Sequence, residues 1–129
     1  MQFTEFTFIL RPSKLGGVGV FAAHDISQNT YLSFTKSSPR TMKIADVPAN
    51  FLKFCIFLNQ EECLAPERFD RMEIGWYLNH SHDPNIKKIP GGIIALRDIK
   101  MDEEILMDYN QLNEPEELKE PYYKVAAFP

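Results

Sequence analysis

The sequence predicts a mostly-β domain made of several small sheets. Two observations carry this. Apolar and polar residues alternate over short stretches, and Gly or Pro separates one stretch from the next. A third concerns scale: 129 residues, 44% hydrophobic and 25% charged, suit one ordinary globular domain with a single real core. No internal repeat, low-complexity run or linker divides the chain.

The elements follow in order. Phe3 to Leu10 alternates, with Phe6, Phe8 and Leu10 on one face and Glu5 and Thr7 on the other, so it reads as a strand. Arg11 to Gly17 is a loop marked by Pro12, Ser13, Gly16 and Gly17. Val18 to Ala23 is a strand, His24 to Asn29 a turn, and Tyr31 to Phe34 a strand leading into the polar stretch Thr35 to Thr41. Val47 to Leu58 reads as a helix followed by a strand, with Asn59 to Glu62 turning into a returning segment. Asp70 to Leu78 has the apolar spacing of a short helix, and Pro84 makes Asn79 to Asn85 irregular. Ile86 to Ile89 and Gly92 to Leu96 are strands meeting at Pro90-Gly91, and Ile105 to Asp108 is one more. The tail from Asn113 is acidic, then aromatic at Tyr122, Tyr123 and Phe128.

Charge narrows the partners. With 14 basic and 18 acidic residues the formal net charge is −4. That argues against direct nucleic-acid binding, which needs a basic face. It suits a cationic partner better. Cys55 and Cys63 are expected as free buried thiols in a reducing compartment rather than as a disulfide. Residues 1–10 lack the basic start and apolar run of a secretion signal. No stretch approaches the roughly 18 apolar residues of a membrane span. The expectation is a cytoplasmic protein, or a nuclear one in a eukaryotic host, with no membrane association.

Three segments carry chemistry. In Lys14-Leu15-Gly16-Gly17-Val18-Gly19-Val20-Phe21-Ala22 the glycines leave backbone N–H and C=O groups bare for close approach. A third glycine and a following helix are missing, so this is no dinucleotide fingerprint. In Asn79-His80-Ser81-His82-Asp83-Pro84-Asn85 polar residues crowd directly behind an apolar run, which is costly to bury unless fully hydrogen-bonded or bound to something. His80 and His82 with Asp83 make a poor metal set, so no metal is expected. No serine sits in a nucleophile elbow. In the third segment, Ala95-Leu96-Arg97-Asp98-Ile99 through Glu103-Glu104-Ile105-Leu106-Met107-Asp108-Tyr109, the tyrosine ends an apolar strand.

In this order and spacing the three segments resemble the SET-domain family of protein lysine methyltransferases dependent on S-adenosylmethionine. Gly17-Val18-Gly19-Val20-Phe21-Ala22 matches its Gly-x-Gly-x-Phe-Ala segment. Asn79-His80-Ser81-His82-Asp83-Pro84-Asn85 matches Asn-His-Ser-Cys-x-Pro-Asn, and the third segment matches the run that ends in Asp-Tyr. The resemblance spans about residues 4–110. It implies a SET fold, with small sheets around a pseudoknot and short helices. It implies a SET domain over residues 1–112 and a tail, 113–129, packing on it. Gly17, Val18, Gly19, Asn79 and His80 would bind S-adenosylmethionine, leaving S-adenosylhomocysteine as product, and Tyr109 would be the catalytic tyrosine. Tyr109 and Met107 would line the lysine channel, with Tyr122, Tyr123 and Phe128 folding back to wall it; a hydrophobic strip on the core, or a dimer contact, is the equal alternative for that tail.

The substrate would be a lysine of a protein or peptide, a basic histone-like tail being one candidate, and the enzyme a monomer or homodimer. Such a site needs no dedicated base: alignment of the amine does most of the work, and a desolvated lysine beside a cation loses its proton more readily. The chain departs from the family at Trp76, for Arg; His82, for Cys; Met107, for Phe or Tyr; and Phe34, the nearest aromatic to a missing Tyr. Met107 leaves mono-, di- and trimethylation all open. The alternative is a weak or inactive SET module that binds a peptide or partner.

Overall fold

Ten short strands and a set of 3-10 turns make up the protein in a computed structural model that describes residues 5–124. The first sheet has strand order β1-β2-β10-β7, formed by β1 (Phe8–Pro12), β2 (Val18–Ala22), β10 (Glu104–Met107) and β7 (Asn79–His80). The second is β3-β9-β8: Tyr31–Leu32, Gly92–Ala95 and Ile86–Ile89. The third is β4-β6-β5: Arg40–Lys43, Glu62–Ala65 and Ile56–Phe57. The predicted mostly-β class of small sheets holds.

Two cores result. The larger packs Val20, Ala22, Ile26, Ile86, Ile99 and Ile105 between the first two sheets. Full burial of a branched aliphatic side chain stabilises by about 1.5–3 kcal/mol. The smaller lies under the third sheet and centres on Val47, Cys55, Cys63 and Ala65. Both cysteines are free and buried, as expected. Burial, and then Cys63, push the Cys55 thiol up to about 12, so it is an inert packing group.

Several boundaries differ from expectation. The first strand starts at Phe8 and runs through Pro12, since pairing with β2 in the register Pro12↔Val18 extends it into the predicted loop. Phe6 precedes it and is 74% exposed, so it does not share a buried face with Phe8; Phe3 lies outside the described residues. The two helices foreseen in the middle are 3-10 turns, Ala49–Phe54 and Ile74–Tyr77. The stretch expected to be irregular after Leu78 begins with β7, which pairs in parallel with β10 through Leu106↔Asn79 and Met107↔His80.

Asn85 fastens that parallel pair. It is 1% exposed. Its side-chain amide donates to the Glu104 carbonyl at 2.8 Å and to the Glu103 carboxylate at 3.0 Å, and its oxygen accepts from Leu106 N–H at 2.8 Å. Its backbone N–H donates to the Leu106 carbonyl. Asn85→Ala leaves buried backbone groups unpaired, at about 1–3 kcal/mol each. We expect it to lose about 3 kcal/mol in urea denaturation; an unchanged midpoint would contradict the role given to this amide.

Candidate functional site

The glycine turn, the segment 79–85 and the end of β10 come together at one edge of the first sheet. Gly17 has φ +59, a left-handed conformation natural to glycine, and is exposed, with nothing within 4 Å of an added Cβ. Its carbonyl accepts from the Ser13 N–H at 2.9 Å, and its own N–H has no partner among the described residues. Gly19 differs: a Cβ there would run into the Glu104 carboxylate and the Asn79 amide nitrogen. What approaches Gly19 closely is the protein itself. Asn79 Nδ2 donates to Glu104 Oε2 at 2.9 Å and to the Val18 carbonyl at 3.2 Å, tying the glycine turn to β10. Ser13 Oγ also donates to the Glu104 carboxylate, at 2.8 Å.

His80 is held between this edge and Tyr109. The Tyr109 backbone N–H donates to His80 Nδ1 at 3.0 Å. An N–H can only donate, so Nδ1 is unprotonated and the neutral ring carries its proton on Nε2. That nitrogen faces His82 Nε2 at 3.5 Å. Burial, and then His82, hold the His80 pKa below its ordinary 6.5, with Asp108 pulling the other way. The Asp108 carboxyl is low despite its burial, because the Asn110 backbone and side-chain N–H groups bond to it. His80, His82 and Asp108 place one donor atom each within 4.8 Å of one another. The carboxylate beside the histidines is thus Asp108, not the Asp83 next to them in sequence. Three donors are one short of the four of a structural metal site, and His80 Nδ1, the nitrogen nearest Asp108, accepts the Tyr109 N–H.

Tyr109 stands on the other side, in the wall of a cavity of about 660 Å³. Its hydroxyl donates to the Leu78 carbonyl at 2.5 Å. Burial, and then Tyr122, raise its pKa, so it stays a neutral phenol at any working pH. With the proton parked on a backbone carbonyl, its lone pairs are left for another partner. Met107, Leu78, Trp76, Tyr122 and Tyr123 share the cavity wall. The Tyr122 and Tyr123 rings lie 6.3 and 5.3 Å from that of Tyr109, edge to face. Phe128 lies outside the described residues.

A family model for the SET domain matches residues 17–110. The chain belongs to the SET-domain family. Members of this family are in general protein lysine methyltransferases that use S-adenosylmethionine. Among solved structures, the SET domain here is similar to a Plasmodium falciparum protein named a "putative histone methyltransferase". The TM-score is 0.51 at 24% identity, over 80% of this chain and 92% of that one, a likeness of fold. No curated protein matches.

The groups that would meet the cofactor in this SET domain fit its chemistry. The exposed Gly17 and the Asp108 carboxylate beside His80 offer polar and anionic partners to a cationic, amino-acid-bearing molecule, while Glu104 is already engaged by Ser13 and Asn79. Asn79 contributes differently from expectation, because its amide nitrogen is already committed to Val18 and Glu104. Sequence reasoning missed Glu104, Asp108, Asn85 and Glu114. The first three were present in the quoted motifs, yet no local pattern marks their long-range partners. Glu114 opens an acidic run that reads as solvated, but it is 8% exposed. Its carboxylate accepts from the Phe57 N–H at 2.8 Å and from the Tyr123 hydroxyl.

The His80 arrangement predicts a pH dependence. Its folded pKa lies below the unfolded value, so the stability it contributes is fully present above about pH 6.5 and is lost as pH falls below it. His80→Asn keeps an acceptor for Tyr109 N–H and does not titrate. Urea denaturation at a series of pH values should show a shallower loss of stability between pH 6.5 and 5 for this variant, by up to about 1.4 kcal/mol per pH unit. Equal slopes would refute the neutral imidazole.

Proposed function

We propose that the protein is an S-adenosylmethionine-dependent protein-lysine N-methyltransferase. The observation that supports this best is Tyr109. It is a phenol with its proton engaged by Leu78 and no hydrogen bond to its oxygen from another described residue, standing between the edge that carries Gly17, Asn79 and His80 and a cavity of about 660 Å³. Bound at that edge, the cofactor would supply an activated methyl on a cationic sulfur.

The chain's own residues do the rest by placement. The Gly17–Gly19 backbone, with Asn79 and His80, forms the cofactor side; Met107, Tyr109, Tyr122 and Tyr123 form the lysine side. The Tyr109 oxygen offers a weak C–H···O acceptor to a polarised methyl carbon. The aromatic walls suit an ammonium group. Tyr109 does not act as the base, because a phenol with a raised pKa does not ionise at working pH. The amine proton leaves to solvent, eased by desolvation of the charged amine. Met107 is flexible and leaves room, which keeps all three methylation states open. Protein substrates with lysine in a basic setting, such as histone tails, fit the net charge of −4. A cytoplasmic or nuclear location and a monomer or homodimer complete the proposal.

Incubation with labelled S-adenosylmethionine and whole-cell protein, followed by mass spectrometry of the modified bands, tests the reaction and finds the substrate. Tyr109→Phe should lower turnover by at least about tenfold, 1.4 kcal/mol or more in the barrier, while cofactor affinity in calorimetry stays within about twofold. Turnover at the wild-type level in this variant would sink the assignment.

A further inference from the structure

We propose that Glu114 is the counter-charge that selects a cationic side chain in the cavity, the ammonium of the target lysine. This deepens the methyltransferase reading and rests on it for the identity of the incoming residue.

Glu114 is 8% exposed and lines the same cavity as Tyr109. Both of its hydrogen-bond partners are neutral: the Phe57 backbone N–H and the Tyr123 hydroxyl. Among the described residues no cation is paired with it. Lys119 Nζ goes to Asn110 and Glu116. Lys53, also on the cavity wall, sets its ammonium 5.1 Å over the Phe54 ring. Taking a carboxylate out of water without a counter-ion is unfavourable, and a cation entering beside it offsets that. A carboxylate accepts about four hydrogen bonds, and two are used here, so each oxygen keeps a site. Burial raises the Tyr109, Tyr122 and Tyr123 pKa values first, and the nearby Glu114 carboxylate adds to the rise in each.

A structural role also exists, because Glu114 bridges β5 (Ile56–Phe57) to the tail. That bridge requires two hydrogen bonds and no charge. Glutamine can supply both: its oxygen accepts from Phe57 N–H and its amide donates to the Tyr123 oxygen. An apolar cavity in this volume range binds side chains of many kinds; its wall also holds Lys53, Lys88 and Glu120, all exposed, so the preference for a cation is assigned to Glu114, the buried charged group among its described lining residues.

The test needs no methyl transfer. Nα-acetyl-lysine methylamide and its norleucine counterpart are titrated into the full chain. Binding is followed by NMR and by emission of Trp76, the sole tryptophan, which lies in the cavity wall. Wild type should bind the lysine compound about tenfold or more tighter than the norleucine compound, with the margin shrinking in salt. Glu114→Gln should bring the ratio to within about twofold. Glu120→Gln removes the exposed carboxylate of the same wall but leaves Glu114 charged, and should retain the preference. An unchanged ratio in Glu114→Gln, a preference lost only in Glu120→Gln, or no lysine preference in wild type each overturns the proposal. A protein that prefers the lysine compound yet transfers no methyl group from labelled cofactor would overturn the methyltransferase reading and leave this one standing.

Discussion

The Asn85 side chain holds together two stretches that are remote in sequence and adjacent in space. β7 and β10 pair over only two residues each, Asn79↔Leu106 and His80↔Met107. Two residues of parallel ladder stabilise little by themselves, and parallel pairs are slightly weaker than antiparallel ones. Asn85 adds bonds to Leu106, Glu104 and Glu103 from a position shut off from water. There, a satisfied polar group holds a single arrangement, and an unsatisfied one is penalised heavily. Tyr109 follows directly from this. It lies two residues past β10, with its N–H on His80 and its hydroxyl on Leu78, so both ends of the tyrosine are fixed by the segment that Asn85 locks down.

What was legible in the sequence was local. The β8–β9 hairpin is bounded by residues that declare it: two apolar stretches and a Pro90-Gly91 turn between them, in a register from Ile86↔Ala95 to Ile89↔Gly92. The strand Val18–Ala22 was readable for the same reason. The three motifs were legible as a set, and the structure brings all of them to one edge. Less legible was anything decided by contacts between distant segments. β7 looks irregular in sequence because its partner is β10. The Ala49–Phe54 and Ile74–Tyr77 segments have helical spacing, but only one or two turns fit between their neighbours, and short runs favour the 3-10 form. Asp83 sits beside the histidines in sequence, yet it is Asp108, arriving on the end of β10, whose carboxylate faces them.

Glycine is a case where the residues were right and the reason shifted. Both Gly17 and Gly19 suggested close approach of a ligand. Gly17 keeps that reading, since it is exposed and its N–H has no partner among the described residues. Gly19 instead makes room for Glu104 and Asn79, which a Cβ would displace. The motif therefore combines an exposed half that can meet a ligand with a buried half that fastens the turn to the strand beside it. Substitution at Gly19 would act on the whole edge, because Asn79 and Glu104 also hold Val18 and Ser13.

The electrostatic pattern separates the two sides of Tyr109. Both groups nearest its ends are neutral: an imidazole whose Nδ1 accepts a backbone N–H, and the phenol itself, kept un-ionised by burial. Carboxylates flank them on either side, Glu104 beside the glycine turn, Asp108 beside His80 and Glu114 in the wall of the cavity. On the methyltransferase reading, two cations brought together at Tyr109 would repel each other by about 4 kcal/mol at 4 Å with an effective dielectric of 20. That repulsion favours loss of the amine proton at the point of transfer, whereas Glu114, in the cavity wall, would act on the ammonium as it enters. A neutral phenol at the meeting point leaves both effects in place, because it adds no charge where the two groups come closest.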